Sequence, residues 1–133
     1  MKKKNIDLTI ESAEDYSVTM RKESFDMIFI NLLTNAVDAI SDRGKILVKV
    51  GRERSSLTLD ISDTGKGIPK EIIGDIFNPF FTTKGSIHGN GLGLYIVYNE
   101  VEKMNGSISV ESEEGKGTAF HLRLPIIEEK TNG

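Results

Sequence analysis

The chain has 133 residues, of which 38% are hydrophobic and 28% charged, and its formal net charge is −3. These values predict one domain over residues 1–133. They argue against a nucleic-acid surface, because the only basic run, residues 2–4, is interpreted as a solvated tail. The absence of cysteine excludes disulfides and thiolate metal sites. No apolar run approaches the roughly 20 residues that cross a bilayer, and no signal-peptide core is present, so we expect a cytoplasmic chain without direct membrane contact.

The first part of the chain predicts strands followed by a long helix. Residues 6–11 alternate as a strand does, and residues 17–20 suggest a second short strand. From Phe25 to Ile40, apolar residues recur at spacings of three and four, which predicts an amphipathic helix. This helix should end near residues 43 and 44, where Gly44 would supply a left-handed turn.

The remainder predicts two antiparallel hairpins separated by a short helix, a loop and a second long helix. The first hairpin pairs residues 45–50 with 57–62 and leads directly into Asp63. A short helix is expected after Pro69, followed by a loop at 78–91 of the length typical of lids and binding loops. The last elements are a helix over 91–104 and a hairpin of 107–111 with 118–124.

Three polar residues share one stripe of the first long helix, because Asn31, Asn35 and Asp38 are spaced at i, i+4 and i+7. Asparagine is a mediocre helix former, so two of them at the edge of the apolar face need a further reason. The side-chain oxygen of Asn35 suits a hard cation such as Mg²⁺, and Asn31 would orient a water or a phosphate. The alternative is that both amides bond loop backbone.

The turn at residues 63–67, Asp-Thr-Gly-Lys-Gly, follows a strand and opens no long helix. This position argues against a dinucleotide-binding glycine turn. A carboxylate at a strand end accepts the exocyclic amine of adenine, whereas guanine has a carbonyl at that position. Gly65 and Gly67 would let the flat base approach the backbone. The alternative is an ordinary tight turn.

Three glycines, Gly89, Gly91 and Gly93, lie at the start of the second long helix. Free amides and the positive end of the helix dipole favour phosphate there, and two leucines would fix the helix start to the core. The preceding residues 82–84, Thr-Thr-Lys, would add hydroxyl donors and a positive charge. The alternative is a glycine-rich hinge without a ligand.

Together, four stretches resemble the N, G1, F and G2 boxes of the catalytic, ATP-binding domain of sensor histidine kinases: NLLTNAVDAI, DTGKGI, NPFFTTK and GNGLGL. A fifth, Gly-Lys-Gly-Thr at 115–118, resembles the final box, and the resemblance spans about residues 5–125. It implies the Bergerat fold of the superfamily that includes type II topoisomerases, heat-shock chaperones and mismatch-repair proteins. This fold is an α/β two-layer sandwich in which about three helices cover one face of a mixed, mostly antiparallel sheet, with a flexible ATP lid.

The resemblance also implies the site, with ATP and Mg²⁺ as cofactors. Asn35 matches the Mg²⁺-binding asparagine and Asp63 the adenine-binding aspartate. Asn90 departs from the threonine or serine usual in the family, although an amide still donates to phosphate. The implied cofactor-binding residues are Asn31, Asn35, Asp38, Asp63, Gly65, Gly67, Ile68, Phe77, Thr82, Thr83, Lys84, Gly89, Asn90, Gly91, Leu92, Gly93, Leu94 and Thr118.

Asn31 and Lys84 are the implied catalytic residues. In the topoisomerase, chaperone and mismatch-repair branches, the position of Asn31 is a glutamate that activates water, and a neutral amide cannot act as that general base. We therefore expect the γ-phosphate to be kept for a protein acceptor, with Lys84 ordering it.

The acceptor is expected on another domain, because neither His88 nor His121 is followed by a phosphoacceptor-like helical run. The implied partners are a separate dimerisation and histidine-phosphoacceptor domain and a downstream response regulator. The isolated chain should be a monomer that binds nucleotide with negligible self-phosphorylation.

Two other functions fit the same boxes. An anti-sigma-factor serine kinase of the same superfamily needs no helical phosphoacceptor domain. The sequences of the motifs NPFFTTK and GNGLGL, however, match sensor kinases closely and favour a sensor kinase. A degenerate nucleotide sensor would bind ATP without modifying an acceptor, and the intact Asn35 and Asp63 argue against it.

Overall fold

The computed structural model describes residues 3–12, 18–79 and 93–127. Its elements in chain order are β1 Asn5–Ser12, α1 Lys22–Ala39, β2 Arg43–Glu53, β3 Ser56–Asp63, a 3₁₀ helix Ile73–Asp75, α2 Gly93–Lys103, β4 Ser107–Glu113 and β5 Gly117–Pro125. The strands form one sheet in the order β1-β2-β3-β5-β4. Only β1 and β2 run parallel, so the sheet is mixed and mostly antiparallel, as predicted.

Both α-helices cover the same face of this sheet. In β3 every second residue is buried, and these residues pair with buried residues of β5. Two of them, Ile61 and Asp63, also pair with buried residues of β2. Buried side chains of α1 and α2 form the other side of the core. The core residues are Ile28, Leu32, Ala36, Ile40, Ile46, Val48, Leu59, Ile61, Ile76, Val97, Val101, Phe120, Leu122 and Leu124. This arrangement is the predicted two-layer α/β sandwich.

The number of helices is lower than predicted, since the described residues contain two α-helices rather than about three. The segment after Pro69 forms only 3₁₀ turns, in which the N–H groups of Ile72, Asp75 and Asn78 each donate to a carbonyl three residues earlier, at 3.1, 2.8 and 3.0 Å. A segment bounded by two prolines is too short to stabilise an α-helical nucleus. Neither α-helix in the described ranges is long and apolar enough to cross a membrane.

The end of α1 also differs from the prediction. The helix ends at Ala39, and Gly44 lies within β2 instead of forming a left-handed cap. Other groups satisfy the terminal carbonyls: the amine of Lys4 donates to the oxygen of Val37 at 3.0 Å, and the N–H of Lys66 donates to that of Ala39 at 2.9 Å. Lys4 is therefore a helix-capping residue, and the interpretation of residues 2–4 as a solvated tail is wrong for it.

The short strand predicted at 17–20 is also wrong over its described part, because residues 18–20 have no regular secondary structure. A hydrogen bond of 2.7 Å from the N–H of Ile127 to the oxygen of Thr19 joins this segment to the residues after β5. One such bond fixes the approach to α1 without extending the sheet.

Both predicted hairpins are present, with strands longer than the sequence suggested. The turn between β2 and β3 has Arg54 at a φ of 57°. On β5, His121 lies on the outer face of the sheet, with Nδ1 2.6 Å from an oxygen of Asp60 and Nε2 3.6 Å from one of Glu111. The hydrogen bond with Asp60 is the main reason that the pKa of His121 is raised.

A buried carboxylate joins the two helices. Glu100 of α2 and Ser24 in the first turn of α1 are both buried, and the Ser24 hydroxyl donates a hydrogen bond to Glu100. The amine of Lys103 lies 3.2 Å from Oε1 of Glu100. The bond from Ser24 is the main reason that the pKa of Glu100 is lowered, with Lys103 adding to the effect. Polar contacts thus fix the start of α1 against α2.

The turn between β4 and β5, residues 114–116, packs against the turn at residues 63–67, which we call the acidic turn. Gly67 of the acidic turn has a φ of 72°, a left-handed conformation that favours glycine. A Cβ at this position would overlap the backbone oxygen of Glu113. The two turns can approach this closely only because residue 67 has no side chain.

Gly67→Ala is therefore expected to lower the free energy of unfolding by about 2 kcal/mol or more, from backbone strain and overpacking. Gly74→Ala is the matched control, because a Cβ at Gly74 meets nothing within 4 Å. It should change the free energy of unfolding by less than about 1 kcal/mol. Urea unfolding of both variants measures the difference, and equal effects would contradict the assigned packing.

Candidate nucleotide-binding site

Asp63 ends β3 with its carboxylate buried, at 8% exposure. Its Oδ1 accepts a hydrogen bond from the N–H of Gly65 at 2.8 Å. Burial raises the pKa of Asp63, while the backbone amides of Gly65 and Thr118 act in the opposite direction. The strand end thus presents an acceptor whose orientation is fixed by the backbone.

Three separate elements hold the acidic turn. The N–H of Lys66 donates to the carbonyl oxygen of Ala39, the last residue of α1. The N–H of Thr64 donates to the oxygen of Lys45 in β2 at 3.1 Å, and the N–H of Lys45 donates to the Thr64 hydroxyl oxygen at 2.9 Å. From the other side, the N–H of Gly115 donates to the oxygen of Lys66 at 2.7 Å. The helix, the sheet and the last hairpin therefore fix one short segment together.

The structure gives the glycines of the acidic turn a reason that differs from the predicted one. A Cβ on Gly65 would lie 2.5 Å from the backbone oxygen of Ala39, and one on Gly67 would overlap Glu113. Both residues are required by close backbone packing inside the protein. Their predicted approach to a nucleobase remains a prediction.

The asparagine stripe, Asn31, Asn35 and Asp38, lies half-buried along α1. The amide nitrogen of Asn31 donates to the oxygen of Met27 at 2.6 Å, which leaves its Oδ1 facing the start of α2, 3.2 Å from where a Cβ on Gly93 would be. The outward atom of Asn31 is thus an acceptor, which suits a water or a metal better than a phosphate oxygen. The side chain of Asn35 forms no hydrogen bond with the described residues, whereas Asp38 has a partner.

Other predicted site residues surround these two groups. Leu94 packs against the core at the start of α2. The ring of Phe77 contacts those of Tyr98 and Phe120, with centroid distances of 5.7 and 6.3 Å, and so anchors the chain before residue 80 to α2 and β5. Thr118 is buried and pairs directly with Asp63 across the sheet.

Seven predicted site residues lie outside the described ranges, and their roles stay predictions. They include Lys84, one of the two expected catalytic residues, and most of the glycine-rich stretch. The seven are Thr82, Thr83, Lys84, Gly89, Asn90, Gly91 and Leu92.

One polar residue beside the site was missed by the sequence interpretation. Ser112 of β4 accepts a hydrogen bond from the N–H of Ile68 at 2.7 Å and lies 2.8 Å from the hydroxyl oxygen of Thr118. The signal was present, because Ser112 occupies the inward-facing position after Ile108 and Val110 in an alternating strand. A polar side chain at such a position needs a buried partner.

The oxygen atoms of Asp63, Asn31 and Asn35 are suited to an adenine nucleotide with a magnesium ion. A buried carboxylate gains from a ligand donor such as an exocyclic amine. At the α1 side, the oxygens of Asn31 and Asn35 are ligands of the kind that Mg²⁺ accepts alongside phosphate oxygens and water.

Comparison with known proteins agrees with this chemistry. The family model described as “Histidine kinase-, DNA gyrase B-, and HSP90-like ATPase” matches residues 20–128. The chain belongs to this ATPase family. Membership of an ATPase family implies that the nucleotide bound is ATP.

Relatives of this ATPase domain are sensor kinases. Sensor histidine kinase ZraS of Escherichia coli (strain K12) is 42% identical over 74% of this chain and 21% of ZraS. Sensor kinase CckA of Brucella abortus (strain 2308) is 36% identical over 96% of this chain and 15% of CckA. Sporulation kinase E of Bacillus subtilis (strain 168) is 34% identical over 92% of this chain and 16% of that kinase. The chain therefore spans about a fifth or less of these relatives.

Solved structures show the same fold. The nucleotide-free catalytic domain of histidine kinase ThkA has a TM-score of 0.78 and 32% identity, covering 91% of this chain and 80% of that domain. Full-length ShkA in complex with AMPPNP has a TM-score of 0.79 and 25% identity, covering 91% of this chain and 26% of ShkA. The predicted fold class is confirmed.

Asp63→Asn removes the charge of Asp63 and keeps its size, so comparison with the wild type isolates its titration. Because the folded-state pKa of Asp63 is raised above the ordinary value of 3.8, the folded state keeps this proton to higher pH than the unfolded chain. The wild type's free energy of unfolding, relative to that of the variant, should be highest below the ordinary pKa and fall as pH rises through the folded-state pKa. Urea unfolding across pH measures this, with the exposed Asp42→Asn as control, and a relative stability that grows with pH would contradict it.

Proposed function

We propose that the chain is the catalytic domain of a sensor histidine kinase, which binds Mg-ATP and donates the γ-phosphate to a histidine on a separate domain. The observation that carries the proposal is the buried carboxylate of Asp63, which is held at the end of β3 by the N–H of Gly65. Its sensor-kinase relatives support the same reaction class.

Recognition of adenine rests on Asp63. Its carboxylate, oriented by the N–H of Gly65, accepts the exocyclic amine of adenine, and it would repel the carbonyl of guanine. Burial strengthens this discrimination, because a mismatched carbonyl would leave a desolvated charge without a donor. Thr118, its neighbour across the sheet, lies within the same recognition surface.

The phosphate end of the nucleotide rests on α1 and on the start of α2. Asn35 would hold Mg²⁺ through its side-chain oxygen, and the metal would neutralise charge on the phosphate oxygens. Asn31 directs its oxygen toward Gly93 and would orient a water bound there. Lys84 and the glycine-rich stretch are proposed to complete the phosphate site.

Transfer rather than hydrolysis follows from Asn31. Its amide nitrogen is bonded to its own helix at Met27, and an amide has no basic site for a proton at neutral pH. The site therefore offers no general base at this position for activating water. A reactive phosphate would persist until a nucleophile from another domain is aligned with it.

His121 does not suit the acceptor role. It lies on the outer face of the sheet, whereas Thr118 and Phe120 of the same strand face the helices. Its two ring nitrogens also face Asp60 and Glu111. The acceptor is proposed on a dimerisation and phosphoacceptor domain, with a response regulator downstream, in a cytoplasmic setting and with this domain as a monomer.

The function is tested by incubating the chain with labelled ATP and a purified histidine-phosphoacceptor domain of a sensor kinase. Acid-labile phosphate on the acceptor histidine, with negligible label on the chain alone, is the expected result. Acid-stable phosphoserine on a protein partner would instead identify an anti-sigma-factor serine kinase. ATP binding without modification of any acceptor would favour a nucleotide sensor.

The magnesium role of Asn35 is tested by calorimetry of ADP with and without Mg²⁺. Asn35→Ala should remove the metal dependence, weakening binding in Mg²⁺ by roughly tenfold, about 1.4 kcal/mol, and leaving binding in chelator unchanged. Asn99→Ala is the control, because this asparagine lies on α2 and bonds the carbonyl of Tyr95 in its own helix at 3.1 Å. Retention of the full metal dependence by Asn35→Ala would remove Asn35 from the metal site.

A further inference from the structure

Ser112 connects the acidic turn to the strand that carries Thr118. Its hydroxyl oxygen has three partners: the N–H of Ile68 at 2.7 Å, the backbone oxygen of Gly117 at 3.0 Å and the hydroxyl oxygen of Thr118 at 2.8 Å. Ile68 directly follows the acidic turn, and Thr118 pairs with Asp63 in the sheet. One half-buried hydroxyl thus touches both sides of the adenine-recognition surface.

The chemistry of these partners fixes where the protons lie. The N–H of Ile68 can only donate, and the carbonyl of Gly117 can only accept. Ser112 has a single hydroxyl proton, which is therefore directed to Gly117. The contact with Thr118 then needs a proton from the Thr118 hydroxyl, because the Ser112 proton is already used. The opposite assignment would leave the Ser112–Gly117 contact without a proton.

This arrangement determines what Thr118 offers to a ligand. With its proton directed to Ser112, the Thr118 oxygen presents only lone pairs, as the neighbouring Asp63 carboxylate does. Both groups are buried, at 5% and 8% exposure, so an unmatched ligand acceptor cannot be compensated by bulk water. Against the 6-position of a purine, Asp63 and Thr118 then both offer acceptors, which favour an amine over a carbonyl at that position.

We propose that Ser112 is a positioning residue for nucleobase selection, which holds the Thr118 hydroxyl as an acceptor and so increases the preference for adenine over a 6-oxopurine. The proposal rests on the proposed function and takes the purine 6-position, rather than N1, to lie against Asp63 and Thr118, so a rise in the preference for adenine on loss of the Ser112 hydroxyl would overturn it. Without the Ser112 hydroxyl, the Thr118 proton is released and can be donated to a ligand carbonyl.

The test is calorimetry of ADP and of inosine diphosphate, which has a carbonyl in place of the adenine amine. Ser112→Ala should lower the ratio of ADP affinity to inosine diphosphate affinity by roughly threefold to tenfold. Ser112→Cys, which keeps the shape of the side chain but is somewhat larger and bonds weakly, should lower it in the same direction. Ser109→Ala is the matched control, because Ser109 is exposed on the opposite face of β4, and it should leave the ratio unchanged.

A double-mutant cycle separates selection from simple support of the fold. In a Thr118→Val background, where no hydroxyl remains to be oriented, adding Ser112→Ala should not change the ratio further. Equal weakening of both nucleotides by Ser112→Ala, at an unchanged ratio, would overturn the role of Ser112 and leave the proposed function intact. Failure of the wild type to bind ADP would overturn the proposed function, and the role of Ser112 with it.

Discussion

The constraint on which the site depends is the burial of one carboxylate in a segment that three elements hold at once. Asp63 cannot move away from its buried position, because the next residues are bonded to the end of α1, to β2 and to the turn before β5. These anchors use backbone groups together with the Thr64 hydroxyl, so the path of the acidic turn is fixed mainly by main-chain bonds to its neighbours. The protein thereby keeps a charged acceptor oriented before any ligand arrives, which lowers the ordering cost of recognition.

This orientation has an energetic cost for the folded chain. Burial disfavours the ionised form of Asp63, and the amides of Gly65 and Thr118 oppose that effect. A ligand amine that donates to the carboxylate would reduce the cost, so binding and stability are coupled at one group. The glycines of the turn belong to the same compromise, because they allow backbone atoms to approach where a side chain would prevent it.

Periodicity alone was sufficient to predict α1 and both hairpins, because spacings of two and of three to four are local properties of the sequence. The mixed sheet was implied by the resemblance of the motifs to a known family. The features that were missed depend on partners distant in the chain. Lys4 caps α1 through Val37, 33 residues away, and Ser112 bonds Ile68, 44 residues away. The expected glycine cap failed for the same reason, since long-range donors already satisfy the end of the helix. The site was predicted from its residue types and from the order of its motifs, and it stays a prediction, whereas the hydroxyl network beside Asp63 had no motif.

The N-terminal strand shows how a distant element can influence the site. On β1, Leu8 and Ile10 are 50% and 60% exposed although they lie beside the buried Ile46 and Val48 of β2. Detachment of this edge strand therefore loses little hydrophobic contact, which makes it a low-cost partial opening of the sheet. Such fraying would also withdraw Lys4 from the last turn of α1, immediately before Ala39, which bonds Lys66. The rate of amide hydrogen exchange in β1 would thus report on the local stability of the proposed nucleotide site, although β1 contributes no residue to that site.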